Sequence, residues 1–482
     1  MFQQLCVIPR NYNEASMRCK RKISRNDPFP CRSHNRSDKK DSNLNLRFTT
    51  AIVFLIATTA LLAQNASKPA PPVSEPKSVT VPFTLDQGRV VIDVDLLLPD
   101  GSTQRVRGWA DNGNPDLYMS QRVASLMRLA VHCDGQVCKG TPESPGAALE
   151  IAIGGMKISL SPMREMMRET KIPAGTPALV PGMSAEINIP STILRKYDVL
   201  INFPDRELTI GLPGQLKFNG VKSKIRVNAD GLIQIPGKVG NQNYDLGLDL
   251  GSSVNSLSEE LFDKLANAHP DWPHMTGTVG PFNSGELASE PKWRVMRLDR
   301  VQCGPLFLTD VAVAALPRDR LTGLTPGLTS GLSSIDQRPG FATAAVLSSE
   351  AMLNYRVGLD YAHSAVYFDI ARTVRFPDFD VVGLILRPEG DTGFTIVGVA
   401  DFDGNPSVLD VQAGDHLVAI GDIPVAESTL GQVWSLLEGS PGQERKLTIE
   451  RSGKPFTVVA RVQHFLGDAP GKDETNGKSK QN

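Results

Sequence analysis

Excess charge of either sign is missing from this sequence. Its 482 residues include 51 Lys and Arg against 52 Asp and Glu, which leaves a formal net charge of -1. Proteins that neutralise nucleic-acid phosphates carry clustered basic residues, so no nucleic-acid partner is expected. Long apolar runs are also scarce. The segment 48–63 is about 16 residues long, fewer than the roughly 20 that a relaxed membrane-spanning helix needs.

The N-terminal region is the exception to the charge balance. Residues 1–47 contain eleven Lys or Arg and four Asp or Glu, and the apolar segment 48–63 follows them. A basic region, a short apolar stretch and small residues such as Ala63 and Ala66 are typical of a secretory signal. We therefore expect export to the periplasm or the extracellular space. If the segment stays uncleaved, it is an N-terminal anchor and the one membrane contact; a buried hydrophobic helix is the alternative. Residues 64–77 predict a flexible linker.

Cysteine is rare as well. Of six cysteines, three lie before the apolar segment, where cleavage of a signal would remove them: Cys6, Cys19 and Cys31. Cys133 and Cys138 flank a predicted turn and would form a hairpin disulfide in an oxidising compartment, with free thiols or a metal site that includes His132 as alternatives. No second ligand pair has zinc spacing, so neither a metal nor a cofactor is predicted. Cys303 is expected to be a small core residue.

From Val79 onward the sequence is typical of a mainly β protein. Short alternating or apolar runs such as VTVPF and GRVVIDVDLLL recur, and Gly, Pro, Asn and Asp separate them. Two helical segments, Ser120–Leu129 and Ser258–Ala268, interrupt the strands. Each begins with a serine that is suited to the N-cap position.

An internal repeat divides this β region into two lobes, predicted at residues 78–212 and 213–376. Each copy contains an apolar strand that runs into Asp-x-Gly, followed by a short strand and a helix; the aspartates are Asp111 and Asp249. Each copy also ends in a similar pair of strands, at 195–210 and 353–368. Because two independent landmarks recur in the same order, we interpret the lobes as products of a duplication.

Paired carboxylates in a duplicated fold indicate acid–base chemistry. Two carboxyl groups close enough to share one proton cannot both ionise, so one serves as a base and the other as an acid. The glycines of two loops let backbone amides approach these carboxylates. The loops comprise Asp111, Asn112 and Gly113 in the first copy and Asp249, Leu250, Gly251 and Ser252 in the second. We expect the aspartates to face each other across a cleft between the lobes.

With these motifs, residues 79–376 resemble the retropepsin-like (pepsin-type) aspartic proteases in a fused two-lobe form. The resemblance implies closed β lobes, Asp111 and Asp249 as catalytic residues, and peptide-bond hydrolysis by an activated water without a metal. The family's Asp-Thr/Ser-Gly triplet has Asn112 and Leu250 at its middle position here. A catalytically silent scaffold is therefore the alternative. Because one chain supplies both lobes, a monomer is expected. The glycine-rich segment 276–285 is a candidate flap, or else a surface loop.

Residues 380–465 resemble a PDZ domain, a module that binds a peptide as an added strand. The stretch VQAGDHLVAIGDIPV is close to the family's Ala-Gly-Asp-x-Leu signature. The resemblance assigns the carboxylate-binding loop and the opposite helical wall of a peptide groove, with core packing as the alternative for the helical residues. The loop residues are Val382, Gly383 and Leu384, and the wall residues are Leu430 and Val433, on a helix predicted over Thr429–Glu438. The tail from residue 466 is too polar to pack.

Two functions are compatible with these features. The first is an exported aspartic endopeptidase whose PDZ domain selects protein or peptide substrates. The second is a catalytically silent retropepsin-like scaffold with a peptide-binding PDZ domain.

Overall fold

The computed structural model describes residues 75–134, 137–143, 149–160, 170–173, 179–180, 182–285, 289–316, 343–370, 379–390, 393–402 and 404–467. The predicted signal or anchor segment, most of the predicted linker and nearly all of the predicted tail lie outside these residues. Within them, no helix has the length and apolar character that crossing a membrane requires.

The described chain is mainly β, as the sequence predicts. The first lobe contains these strands: β1 Ser78–Asp86, β2 Arg89–Leu97, β3 Thr103–Asp111, β4 Leu117–Tyr118, β5 Leu129–Asp134, β6 Val137–Pro142, β7 Glu150–Ile153, β8 Met156–Ser159, β9 Thr170–Pro173, β10 Ile187–Pro190, β11 Asp198–Asn202 and β12 Glu207–Gly211. The second contains β13 Val221–Lys224, β14 Arg226–Val227, β15 Ile233–Val239, β16 Gln242–Asp249, β17 Ser256–Ser258, β18 His274–Thr276, β19 Arg294–Cys303, β20 Leu306–Leu316, β21 Ala345–Ser348, β22 Tyr355–Asp360 and β23 Ala365–Ile370.

The C-terminal part of the chain forms a further β unit with one helix. Its strands are β24 Asp380–Val381, β25 Leu384–Pro388, β26 Phe394–Val399, β27 Asp401–Phe402, β28 Asn405–Pro406, β29 His416–Ile420, β30 Ile423–Pro424, β31 Glu444–Arg451, β32 Lys454–Arg461 and β33 Gln463–His464. The main sheet has the order β25-β26-β29-β31-β32, and β25 lies at its edge. The α-helices of the described chain are α1 Gln121–Leu126, α2 Ser191–Leu194, α3 Glu259–Ala268 and α4 Leu430–Leu437.

Three of these helices begin where the sequence predicts. Ser120, Ser258 and Thr429 are the N-caps of α1, α3 and α4, and the hydroxyl of each accepts a hydrogen bond from the backbone N–H three residues later. The end of α1 was predicted wrongly at Leu129. The helix ends at Leu126, because Arg128 adopts a left-handed conformation with φ of 52° and the chain turns into β5.

The two repeated strand pairs lie side by side at the junction of the lobes. β11 is antiparallel to β22, with Val199 opposite Leu359, and the sheet continues as β1-β12-β11-β22-β23-β13. At this junction, three neighbouring strands of each lobe lie side by side in one sheet, which continues from β1 into β2, β3 and β10 of the first lobe. One apolar core extends from this sheet into both lobes and includes Ile201 and Val357. The sequence repeat thus corresponds to two structural halves that share a sheet.

The cysteines occupy the positions that one of the sequence interpretations requires. Cys133 and Cys138 pair across the β5–β6 hairpin and form a disulfide. Cys303, at the end of β19, is a free and fully buried core residue, as predicted.

Candidate active site

Equivalent strands deliver the two aspartates to the junction of the lobes. In the first lobe, β3 ends at Asp111 and runs parallel to β10, where Pro190 lies opposite Asp111. In the second lobe, β16 ends at Asp249 and runs parallel to β21, where Ser348 lies opposite Asp249. In each lobe, a parallel neighbouring strand therefore holds the strand that ends at the aspartate in a corresponding position.

Each aspartate lies against the loop of the other lobe. A β-carbon built on Gly113 would overlap the carboxyl group of Asp249, and one built on Gly251 would lie 2.6 Å from Oδ1 of Asp111. Both carboxyl groups are completely buried. Glycine is required at both positions because the opposite carboxyl group fills the space of a side chain. The prediction that the aspartates face each other thus agrees with the geometry of the loops.

Backbone and amide groups orient the carboxyl groups. The Gly113 N–H donates to Oδ1 of Asp111 at 3.3 Å, and the Gly251 N–H donates to Oδ1 of Asp249 at 2.9 Å. Asn188 Nδ2 donates to Oδ2 of Asp111 at 3.3 Å. The backbone carbonyl of Ser252 accepts from the Ser349 amide and hydroxyl, which fixes the end of the second loop. Asn188, on β10, was not predicted from the sequence.

One asparagine connects the two loops. Asn112 Nδ2 donates to the Leu248 carbonyl at 2.9 Å, and its Oδ1 accepts from the Leu250 N–H at 2.7 Å. The Leu250 side chain is buried in the apolar core. The amide of Asn112 therefore provides both a donor and an acceptor across the junction, and Leu250 contributes only its backbone N–H and its apolar bulk.

Burial sets the acid–base properties of the pair. Burial, and then the charge of Asp249, raise the pKa of Asp111 well above its usual value, although the Asn188 hydrogen bond and the positive charge of Arg89 oppose the shift. Burial raises the pKa of Asp249 to about 6, opposed by the Gly251 N–H and by Arg89. Because both pKa values are raised and the two charges would repel each other, the pair holds one proton over a range of pH.

A hairpin of the first lobe covers the pair. Asp86 and Arg89 close a two-residue turn in which Gln87 and Gly88 have φ of 50° and 69°. The Arg89 side chain is buried, and its guanidinium lies 5.3 Å from the ring centre of Trp109. Its charge acts on both aspartates. Arg89 was not predicted from the sequence, since it precedes Asp111 by a whole hairpin.

The hairpin tip also reaches the second lobe. The Ser349 hydroxyl donates to the Gly88 carbonyl, and a β-carbon on Gly88 would lie 2.7 Å from Cβ of Ser253. Turn residues of the first lobe therefore contact the loop that follows Asp249.

The C-terminal unit contacts both lobes and the hairpin. The Leu430 N–H, at the start of α4, donates to the carbonyl of Gly182 in the first lobe at 2.8 Å. A β-carbon on Gly285 of the second lobe would lie 2.7 Å from Pro388, and one on Gly431 of α4 would lie 2.7 Å from the Gln87 amide. The C-terminal unit therefore bridges both lobes and rests on the hairpin that covers the aspartates.

The residues predicted for a peptide groove are all in the interior. Val382, Leu384, Leu430 and Val433 are at most 2% exposed, and a β-carbon on Gly383 would overlap Ser407 and Phe465. The Val382 N–H donates to the carbonyl of Leu437, and the Leu384 N–H to that of Val382. Two of the amides predicted to hold a peptide terminus thus have partners within the unit.

The candidate flap is held between the second lobe and the C-terminal unit. Residues 277–285 follow β18, and Val279, Phe282 and Asn283 are at most 1% exposed. Of the two sequence interpretations, a plain surface loop does not fit this burial. In the described part of the chain, no group of three or more His, Cys, Asp or Glu side chains is placed to hold a metal ion.

Replacing Asn112 tests the connection between the lobes. Asn112→Ala leaves the Leu250 N–H and the Leu248 carbonyl buried without their partner, so we expect the free energy of unfolding to fall by about 3 kcal/mol. Chemical denaturation monitored by tryptophan fluorescence measures this change. Asn243→Ala, at an exposed position of β16, is the matched control and should change stability by less than about 0.5 kcal/mol. Equal effects of both substitutions would contradict a bridging role for Asn112.

The raised pKa of Asp249 predicts a pH-dependent penalty on stability. A carboxyl group whose pKa rises from 3.8 unfolded to about 6 folded destabilises the protein increasingly as the pH rises through that window. Asp249→Asn removes the penalty, so above pH 6 the variant should be more stable than the wild type by on the order of 3 kcal/mol. Near pH 4 the two should be nearly equal. Asp245→Asn, an exposed position on the same strand, is the control; a difference that is constant with pH would refute the prediction.

Comparisons with known proteins give no family assignment. No family model matches the chain, and no curated protein matches it. Among solved structures, the chain is similar to an aspartic proteinase from Irpex lacteus at 10% identity and a TM-score of 0.35, over 61% of this chain and 97% of that one. It is similar to basic 7S globulin from soybean at 10% identity and a TM-score of 0.32, over 61% and 95%. Likenesses this weak establish no activity, so the function is inferred from the geometry of the chain itself.

Proposed function

We propose that the protein is an aspartic-type endopeptidase that hydrolyses peptide bonds with a water activated by Asp111 and Asp249. The observation that carries the proposal is the pair itself. Two buried carboxyl groups come from corresponding strands of two lobes, each lies against the other's glycine, and both have raised pKa values. Such a pair holds one proton over a range of pH and can act as acid and base together.

The two carboxyl groups are proposed to have different roles in proton transfer. Asp249, with a pKa of about 6, is the base that takes a proton from the attacking water, and its Oδ2 accepts no hydrogen bond from the described part of the chain. Asp111, whose pKa is raised well above its usual value by burial and by the charge of Asp249, donates its proton to the carbonyl oxygen of the substrate. When the tetrahedral intermediate collapses, Asp249 passes the proton to the leaving nitrogen and Asp111 recovers its own.

The C-terminal unit is proposed to act as a PDZ-like module that receives an extended segment of a protein substrate. The position of β25 at the edge of the sheet supports this role. Strand β25 and helix α4 would form the two walls of the groove. The basic and apolar N-terminal sequence supports export to the periplasm or the extracellular space. A peptide-binding scaffold without hydrolysis is the second candidate, since Leu250 replaces a hydroxyl residue in one loop.

Hydrolysis is tested with the two aspartates. Purified wild-type protein should cleave a reduced, unfolded protein substrate near neutral pH, and Asp111→Asn and Asp249→Asn should each lower the initial rate by at least about a hundredfold, because each removes one proton-transfer group. Fragments are measured by mass spectrometry. Asp245→Asn should keep the wild-type rate. Undiminished cleavage by both dyad variants would assign the activity to another site, and absence of cleavage by every form of the protein would favour the scaffold.

The pH profile tests the assigned roles. Activity should rise as the pH passes through about 6, because Asp249 must be ionised, and should fall at a higher pH where Asp111 loses its proton. Arg89→Met removes a positive charge that lowers both pKa values, so the acidic limb should move to higher pH. Initial rates between pH 4 and 9 give the limbs.

The control for that shift is Arg105→Met, a substitution on β3 of an arginine that pairs with Asp95 at the surface. Its profile should match the wild type. A rate that is already maximal at pH 4 would contradict Asp249 as the base.

A further inference from the structure

Residues 277–285, here called the latch loop, satisfy main-chain groups at the edge of the C-terminal sheet through one side chain. Asn283 Oδ1 accepts from the Leu386 N–H at 2.9 Å, and Asn283 Nδ2 donates to the Leu386 carbonyl at 3.0 Å. Leu386 lies in β25, whose one strand neighbour in the sheet is β26. Both main-chain groups of an edge residue are thus satisfied by a single side chain of the second lobe.

A buried carboxylate holds the latch loop in this shape. Glu290 is 1% exposed and accepts hydrogen bonds from Thr278 at 3.1 Å, from Asn283 at 2.8 Å and from Ser284 at 2.6 Å. Hydrogen bonds within the second lobe therefore hold the Asn283 amide in the orientation in which it contacts β25. This makes the loop a preformed partner of the sheet edge rather than a strand that must first be ordered.

Close packing adds to these hydrogen bonds. Phe282 meets Phe379 edge to face with ring centres 5.1 Å apart and shares a buried cluster with Val381 and Ile385. Glycines permit the approach at both ends: a β-carbon on Gly277 would lie 2.9 Å from Ile385 and one on Gly285 would lie 2.7 Å from Pro388. The contact is apolar at its centre, where bringing in water would be unfavourable.

Helix α4 of the same C-terminal unit contacts the hairpin next to the aspartates. Gly431 lies against Asp86 and Gln87 of the hairpin above the aspartates, and Leu430 hydrogen-bonds to Gly182. Both carboxyl groups are completely buried in this arrangement, so a polypeptide can reach them only after the surrounding elements move. Access to the aspartates and release of the latch loop are therefore parts of one movement of the C-terminal unit.

We propose that the latch loop is an internal ligand of the PDZ-like groove, which holds the protein closed, and that an extended peptide segment opens it by pairing with β25 in place of Asn283. The ligand is an internal stretch of polypeptide with apolar side chains rather than a free C-terminus, since the amides of Val382 and Leu384 already donate to backbone carbonyls. The effect on hydrolysis rests on the proposed function; closure of the groove does not.

The first experiment needs no activity. In the Asp111→Asn protein, adding Asn283→Ala removes both bonds to Leu386, so amide hydrogen exchange at Leu386 and in residues 279–285 should accelerate by on the order of tenfold. Gly431→Leu, which forces α4 away from the hairpin, should accelerate exchange at the hairpin tip as well. The matched controls are Asn243→Ala and Ser435→Leu, both at exposed positions. Exchange that neither Asn283→Ala nor Gly431→Leu changes relative to its control would overturn the latch.

A peptide probe tests the competition directly. A labelled synthetic peptide with the sequence of residues 276–285, TGTVGPFNSG, should bind the Asp111→Asn protein carrying Asn283→Ala at least about tenfold more tightly than the Asp111→Asn protein alone, because its groove is less occupied. Fluorescence anisotropy measures the affinity. The same peptide with alanine in place of its asparagine should lose this binding. Equal affinity for the two proteins would contradict the internal ligand.

Hydrolysis then separates the two claims. With both aspartates present, Asn283→Ala should raise the rate of cleavage of an unfolded protein by on the order of tenfold, while Asn243→Ala leaves it unchanged. Faster exchange without cleavage in any variant would leave the latch standing and reject the endopeptidase. Cleavage by the wild type that Asn283→Ala does not raise would reject control of hydrolysis by the latch loop and keep the endopeptidase.

Discussion

The structure depends on placing two carboxyl groups in one buried junction. Removing an ionised carboxylate from water is costly unless the protein neutralises it or satisfies it with hydrogen bonds. Here the pKa values of both carboxyl groups are raised, and Arg89 supplies a nearby positive charge. The Gly113 amide donates to Asp111 and the Gly251 amide donates to Asp249. The glycines, the hairpin and the asparagine between the loops are consequences of this constraint.

Duplication supplies the symmetry of the junction, but the two halves do not share its bonds equally. Asn112 makes both hydrogen bonds between the loops, and Leu250 fills the core beneath them. A leucine in one triplet is therefore compatible with a correctly positioned pair, provided that the other triplet carries an amide. Burial is the largest cause of the raised pKa values of both aspartates.

Repeated local signals made the lobes, the aspartates and three helix starts predictable, because Asp-x-Gly after an apolar strand and a capping serine or threonine act within a few residues. The features that failed or were missed depend on distant partners. Arg89 reaches the aspartates only through the fold of its hairpin, and Asn283 meets Leu386 more than a hundred residues away. The amides of Val382 and Leu384 fitted a carboxylate-binding loop by sequence, yet their partners are internal carbonyls that the sequence does not reveal.

Carbon-13 NMR of the aspartate carboxyl groups, assigned through the two dyad substitutions, tests the central claim most directly. We expect the Asp249 signal to titrate near pH 6, the Asp111 signal to titrate well above the usual range of an aspartate, and the Asp249→Asn substitution to lower the Asp111 midpoint, because the charge of Asp249 helps to raise it. Two independent titrations close to 3.8, the usual value for an aspartate, would show that the carboxyl groups neither share a buried junction nor act on each other.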